Sequence, residues 1–228
     1  MSPRTRPAGP LSREGIVSAA ITLADRDGLD TVSMRRVAEH LRTGPASLYR
    51  HVSNRDELVT AMVEQVVAQR EYPDPADLDW RECMHVLARQ DWSAMLVHPW
   101  MITATATVTP PFGAASLASM EWALTALAQL ELPLQEAARV IMTINNYVQG
   151  TARVVLGDRQ AGSDDDPGRS WQRRLRGVDL SASPRLQRLI AEPLPDGDRH
   201  WFEDGLDVIL DGVEARQARK PGRESELD

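Results

Sequence analysis

The sequence predicts an all-α protein with a small N-terminal helix-turn-helix domain and a larger helical body. Apolar residues recur at three- and four-residue spacing through most of the 228 residues, and no segment alternates as a β-strand would. A chain of this length with 42% hydrophobic residues can form one sizeable core, or one small and one medium domain. We expect a basic arm over residues 1–10, the N-terminal domain over 11–70, the body over 71–219 and a tail over 220–228.

Charge is distributed unevenly along the chain. Residues 1–55 hold nine arginines and five acidic residues, whereas the whole chain has a net charge of −7. A basic end on an acidic body favours a polyanion as the partner of that end, although chance asymmetry is an alternative. One cysteine, Cys83, excludes an intrachain disulfide framework and fits a reducing compartment. We expect a cytoplasmic protein with no transmembrane helix, no cofactor and no metal site.

The first 42 residues contain signals for two helices. The first helix begins after Ser12 and ends at Gly28, the natural left-handed cap. The second begins after Ser33, and its apolar face has helical spacing: Met34, Val37, Ala38 and Leu41. The sequence Arg42-Thr43-Gly44 breaks this helix, and the next residue, Pro45, suits the first turn of a third.

The third helix is short and has two different sides. Leu48 and Val52 are four residues apart and face inward. The outward positions mix small, aromatic and cationic groups, which suit base edges and phosphates: Ala46, Ser47, Tyr49 and Arg50. Packing of Tyr49 in the core is an alternative. A capping box from Asn54 to Glu57 then begins a long fourth helix.

The segment LSREGIVSAAITLADRDGLDTVSMRRVAEHLRTGPASLYRHVSNRDELVTAMV resembles the DNA-binding domain of the tetracycline-repressor (TetR) family. Its small-residue first helix, the GLDTVSMRRVAEHL segment, PASLYRHV and NRDEL occur in the family's order and spacing. The resemblance implies that Arg35 reaches a base edge, because its guanidinium fits guanine. It also implies base contacts by Pro45, Ala46 and Ser47, phosphate contacts by Tyr49, His51 and Arg55, and phosphate contacts by the helix-start amides at Ser33 and Gly44.

The turn between the second and third helices departs from the family pattern. Relatives usually have Gly-Val where this chain has Arg42-Thr43. Arginine in the left-handed conformation costs roughly 1 kcal/mol that glycine avoids. Either the turn differs slightly, or Arg42 contacts a phosphate.

Downstream, the periodicity predicts six more helices. We expect them over about 79–97, 100–106, 112–130, 133–156, 183–191 and 198–219. Residues 157–170 are predicted to be a flexible acidic loop, in which Asp164-Asp165-Asp166 is a solvated spacer rather than a catalytic cluster.

The last helix, with the sequence FEDGLDVILDGVEAR, resembles the end of the tetracycline-repressor C-terminal domain, as do HPWM and the PPFG turn. In that family two long helices from each subunit form a four-helix dimer interface. The corresponding candidates are Val148, Thr151, Val155, Gly205, Leu206, Ile209, Gly212 and Val213. Tolerance of the two glycines on a solvated surface is the alternative. A homodimer also suits a palindromic operator on double-stranded DNA.

The resemblance also implies a small-molecule pocket in the body. The candidate residues are mostly apolar or aromatic with few polar groups: Trp92, Met95, His98, Trp100, Met101, Thr103, Trp122, Met142, Asn145, Asn146 and Gln149. Such a set suits an apolar or planar effector that is not yet identified. His98 could instead cap a helix or bind a metal ion.

These observations predict a ligand-released transcriptional repressor. A constitutive DNA-binding regulator without an inducer is the alternative. An enzyme is disfavoured, since the chain has no Gly-rich phosphate loop, no GxSxG elbow, no HExxH motif and no cluster of metal ligands.

Overall fold

The structure, a computed structural model, describes residues 11–106, 113–160, 167–192 and 201–219, with the side chains of residue 160 and residues 167–169 left out. Within these ranges the chain forms α-helices and two short 3-10 turns, and no strand. The α-helices are α1 Arg13–Asp27, α2 Met34–His40, α3 Pro45–Leu48, α4 Arg55–Val67, α5 Trp80–Val97, α6 Trp100–Thr105, α7 Ala114–Leu127, α8 Leu134–Gln160, α9 Pro167–Leu175, α10 Pro184–Ala191 and α11 Trp201–Ala218. The all-α prediction is confirmed. The predicted basic arm and tail lie outside the described residues.

Three helices of the N-terminal domain begin at the predicted caps. The Ser12 hydroxyl accepts a hydrogen bond from the Gly15 amide at 3.1 Å. Ser33 and Asn54 cap α2 and α4 in the same way, at 3.2 Å and 2.8 Å. Each bond satisfies one of the amides that a helix start leaves without an intrahelical partner. Local sequence therefore determines where these helices begin.

The turn between α2 and α3 has the strained backbone expected from its sequence. Arg42 has φ 54°, in the left-handed region. The Thr43 amide donates to Ala38 O at 2.9 Å, and the Arg42 amide donates to Glu39 O at 3.1 Å. This pair of bonds is the Schellman ending of a helix, which usually places glycine at the left-handed position. The left-handed cost predicted for Arg42 is therefore present in the fold.

By its contacts the chain divides into two compact units. The first comprises Met1–Glu71 with Ser93–Trp122, and the second comprises Tyr72–Trp92 with Ala123–Asp228. Helices α5 and α7 each contribute residues to both units. The predicted boundaries divide the chain at residue 70 into continuous segments, whereas these units are discontinuous. The predicted boundaries therefore stay predictions.

In the second unit, an aromatic group joins α5, α8 and α11. The Phe202 ring, 4% exposed, stacks on Trp92 with centroids 4.4 Å apart and on Tyr147 at 5.7 Å. The Tyr147 hydroxyl donates to the Phe202 carbonyl oxygen at 2.8 Å. A side chain on Gly205 would overlap this hydroxyl, so glycine permits the close approach of α8 to α11.

A row of ion pairs also connects α5 to α11. Arg81 contacts Asp207 at 2.9 Å, and Arg89 contacts Glu203 at 2.7 Å. Between them, the two ring nitrogens of His85 lie 3.0 Å from Glu203 and 3.1 Å from Asp207. Burial raises the pKa of Glu203, but hydrogen bonds from Arg89 and His85 outweigh it, so the pKa is lowered overall.

The prediction of an acidic loop over residues 157–170 is wrong at both ends of that range. Helix α8 continues to Gln160, and α9 begins at Pro167. Pro167 and Gly168 suggested a loop, but proline is compatible with a first helical turn. Ser170 and Gln172 are buried in the structure, so tertiary contacts stabilise this short helix. The Asp164–Asp166 run lies outside the described residues.

Candidate DNA-binding surface

Helix α3 and the residues around it have one buried side and one exposed side, as predicted. Leu48 is 0% exposed and Val52 is 1% exposed, so both belong to the core of the first unit. Pro45, Ala46 and Arg50 are exposed, and Ser47 is half-buried. The small side chains of Ala46 and Ser47 leave the backbone of α3 accessible, and close approach to base edges requires such access.

Tyr49 follows the last residue of α3 and is 53% exposed. A tyrosine that served only the core would be covered to a much larger extent, as Leu48 is. The phenol side chain is therefore exposed enough to contact a DNA phosphate. The predicted phosphate contact stays a prediction, while packing in the core does not account for the exposed half.

Arg35 projects from the first turn of α2. Its side chain is 83% exposed and forms an ion pair with Glu39, one helical turn away, at 2.8 Å. The hydrogen bond to Glu39 raises the pKa of Arg35. An exposed pair of this kind contributes little to stability, so the guanidinium can exchange Glu39 for a base edge at small cost.

The helix-start positions are built differently at α2 and α3. The Ser33 hydroxyl is already bonded to the Arg36 amide. Gly44, the N-cap of α3, is exposed and has no side chain that could accept a hydrogen bond, and Pro45 fills the first helical position. Both starts remain predicted phosphate contacts.

Two of the predicted phosphate ligands lie within the packing of the domain. Arg55 Nε donates to the Val32 carbonyl at 2.9 Å, and Arg55 Nη2 donates to the Leu29 carbonyl at 2.9 Å. His51 is half-buried, and its carbonyl accepts a hydrogen bond from Arg13 at 2.9 Å. Arg55 thus connects α4 to the segment before α2, a role that sequence analysis missed. Its phosphate contact stays a prediction.

Two candidate ligand residues, His98 and Trp100, contact the N-terminal domain, and their ligand contact stays a prediction. Asp25, near the end of α1, accepts a hydrogen bond from Trp100 Nε1 at 2.7 Å and lies 2.8 Å from His98 Nδ1. Trp100 is 3% exposed. The sequence did not predict this contact, because an acidic residue in the last turn of a helix is ordinarily solvated.

The other candidates in the first unit differ in exposure. Met95 and Met101 are buried, Trp122 is half-buried, and Thr103 is exposed. In the second unit, Trp92 stacks on Phe202, as described above. Ligand contact by these residues stays a prediction.

On α8, the structure brings two candidate amides together. Gln149 Nε2 donates to Asn145 Oδ1 at 3.3 Å, and both residues are half-buried. Met142 is 45% exposed, and Asn146 is also exposed. The amides bond to each other across one helical turn, so they have a partner in the structure without a ligand.

Several of the predicted dimer residues pack inside one chain. Val148 and Leu206 are 0% exposed and Thr151 is 4% exposed. Gly205 faces Tyr147 of the same chain. Val155, Ile209 and Val213 are half-buried, whereas Gly212 is exposed and has open space beside it. Much of this apolar row therefore joins α8 to α11 within one chain, and the dimer interface stays a prediction.

Within the described ranges, no three His, Cys, Asp or Glu residues are arranged to hold a metal ion. No helix in the same ranges combines the length and apolar character needed to cross a membrane.

Comparisons with known proteins agree with this geometry. Residues 16–62 match the model of bacterial regulatory proteins of the tetR family, and residues 72–217 match that of the tetracyclin repressor-like C-terminal domain. The HTH-type transcriptional repressor DrrR1 of Streptomyces coeruleorubidus is 33% identical, over 96% of this chain and 83% of its own length. The class A tetracycline repressor of Escherichia coli is 29% identical over 89% of this chain and 90% of its own length.

Among solved structures, ActR from Streptomyces coelicolor has the same fold. Its complex with actinorhodin superposes with a TM-score of 0.74 at 31% identity, covering 92% of this chain and 99% of ActR. A second ActR structure contains (S)-DNPA and has a TM-score of 0.73. The helix-turn-helix geometry, the two matching models and these relatives together show that the chain belongs to the TetR family of transcriptional regulators.

Proposed function

We propose that the protein is a transcriptional repressor that binds a palindromic operator as a homodimer in the cytoplasm and is released by a small molecule. The observation that carries the proposal is the exposed face of α2 and α3, with Arg35, Ala46, Tyr49 and Arg50 outward over a closed core. One such face makes too few base contacts for a specific site. Two faces on successive major grooves, about 34–36 Å apart, supply enough.

Selection of bound sequences from random double-stranded DNA tests the operator. The full-length protein is expected to enrich a two-fold-symmetric site, and its affinity should fall steeply with salt because Arg side chains replace counterions. Enrichment of no symmetric sequence would contradict the proposal.

We propose that the dimer forms through the parts of α8 and α11 that one chain leaves exposed. Val208 is 71% exposed, and Gly212 lies one turn further along α11. Exposed apolar area beside a small residue permits close helix packing between subunits. Sedimentation of Val208→Glu is expected to show monomers at a concentration where the wild type is dimeric.

Val97 provides a matched control for this test. It is 66% exposed at the end of α5, so Val97→Glu changes charge and hydrophobicity in the same way outside the proposed interface. A Val208→Glu variant that sediments as the wild type does would contradict this choice of interface.

The inducer is proposed to be apolar or planar, and ActR, which binds actinorhodin, supports this choice by its likeness. Thermal shift against a panel of planar aromatic compounds tests it. A compound that stabilises the wild type should stabilise Asn145→Ala and Gln149→Ala less. Stabilisation by no compound would favour the constitutive regulator, and unchanged shifts in both variants would place the ligand elsewhere.

A further inference from the structure

Glu64 in α4 holds the start of α7 by its carboxylate. The carboxylate accepts hydrogen bonds from the amides of Gly113 at 3.1 Å, Ala115 at 2.7 Å and Ser116 at 3.1 Å. The Ser116 hydroxyl also donates to it. One side chain from α4 therefore supplies the cap that α7 does not take from its own preceding residue. All of these residues belong to the first unit.

The chemistry of this contact depends on both partners. The first amides of a helix have no intrahelical acceptor, and a negative charge beside them is stabilised by the helix dipole. A side chain at position 113 would overlap Glu64 Cδ, so glycine is needed for the carboxylate to reach the amides. We call the contact of Glu64 with Gly113 and Ser116 the Glu64 clamp.

The path of the chain gives the Glu64 clamp its importance. After α4 ends at Val67, residues 68–79 contain turns but no helix before α5 begins. Helix α7, in contrast, runs without a break from Ala114 to Leu127, and its last residues belong to the second unit. Rigid secondary-structure elements are among the structures that carry coupling between distant parts of a protein. The Glu64 clamp therefore joins α4 to a continuous helix, α7. The covalent connection from α4 to α5, in contrast, is not helical.

We propose that Glu64 is a positioning residue that sets the distance between the two DNA-binding domains of the dimer. It touches no DNA; it fixes α4, and α4 carries the domain whose face is presented to DNA. This inference rests on the proposed function and specifies how spacing is controlled. Weakening the clamp relaxes the requirement for one half-site spacing and leaves the reading of each half-site unchanged.

Operators of altered spacing separate this role from simple stabilisation. The selected operator is compared with versions that have one base pair removed or inserted at the centre, and with a single half-site. Wild type, Glu64→Gln, Gly113→Ala and Ser116→Ala are measured as full-length proteins by fluorescence anisotropy. Glu14→Gln is the matched control, because Glu14 is an exposed glutamate on α1 that lines the same groove as Glu64.

The ratio of the affinity for the selected operator to the affinity for operators of altered spacing should be roughly tenfold smaller in Glu64→Gln than in the wild type. This is the effect expected when a charge-assisted hydrogen bond is lost. Gly113→Ala should act in the same direction, and Ser116→Ala, which removes one donor, should act less. Affinity for the single half-site should match that of the wild type in all of them, and Glu14→Gln should keep the wild-type profile.

A wild-type spacing profile in Glu64→Gln and Ser116→Ala, even with a lower melting temperature, would overturn the inference and leave the proposed function standing. If Glu64→Gln does not fold, Ser116→Ala decides, because it retains the carboxylate and three of its donors. If the wild type itself selects no symmetric DNA, the proposed function fails and the inference fails with it.

Discussion

The N-terminal domain and the α5–α11 pair of the second unit are held together by different kinds of polar contact. The N-terminal domain has exposed ion pairs, such as Arg35 with Glu39, but its link from α4 to the segment before α2 is a side chain bonded to backbone groups, because Arg55 donates to two carbonyls. Between α5 and α11, side chains bond to side chains, as Arg89 does to Glu203. A backbone partner cannot change rotamer, so the first arrangement holds the DNA-facing helices more firmly. In the second, Arg89 is 59% exposed, so salt can screen its pair with Glu203.

Among substitutions in these two regions, Arg55→Ala should lower the free energy of unfolding the most. The substitution leaves the carbonyls of two buried residues, Leu29 and Val32, without a charged donor, so the free energy of unfolding should fall by about 2–4 kcal/mol. Urea unfolding measures it, with Arg26→Ala, an exposed arginine on α1, as the control. The loss should change little between about 0.1 M and about 1 M salt. A loss that disappears at high salt would contradict a backbone-anchored role.

Arg89→Ala should cost less, at most about 1 kcal/mol, because Arg89 is 59% exposed and such pairs are weak. Its effect should shrink as salt is raised over the same range. Urea unfolding at both salt concentrations provides the measurement. An effect equal to that of Arg55→Ala would remove the difference drawn between the two regions.

The smallest effect is expected from acid at the start of α4. Hydrogen bonding from the Ser53 amide and from Arg13 lowers the pKa of Glu57 from 4.5 to about 2. A lowered pKa means that the folded state holds the ionised form, so this contribution is complete above pH 4.5 and is lost as the pH falls toward 2. The stability difference between the wild type and Glu57→Gln should therefore narrow over that interval. A constant difference down to the lower pH would show that the carboxylate is not the group responsible.

Contacts that are local in sequence were predictable, and distant ones were not. The caps at Ser12, Ser33 and Asn54 bond to amides three residues away, so residue type and spacing suffice to find them. Glu64 and Asp25 bond to residues 49 to 75 positions away. In the sequence each is an acidic residue on a helix, which is ordinarily solvated. Only the fold brings their partners to them.

Periodicity identified apolar faces but not what covers them. Leu206 and Val148 were expected at a subunit interface, yet both are fully buried in one chain. The helical pattern is the same whether a neighbouring helix belongs to the same chain or to its partner. Val208, by contrast, is an apolar residue that the chain leaves uncovered, and exposure rather than pattern distinguishes it.

The central claim is that the exposed face of α2 and α3 reads DNA sequence. The most direct test measures the affinity of wild type, Arg35→Ala and Arg26→Ala for the selected operator and for a scrambled duplex, at one fixed salt concentration. Arg35→Ala should reduce the discrimination between the two duplexes by roughly tenfold or more, the value of a bidentate base contact. Arg26→Ala should leave it unchanged. Equal discrimination by all three proteins would contradict the account.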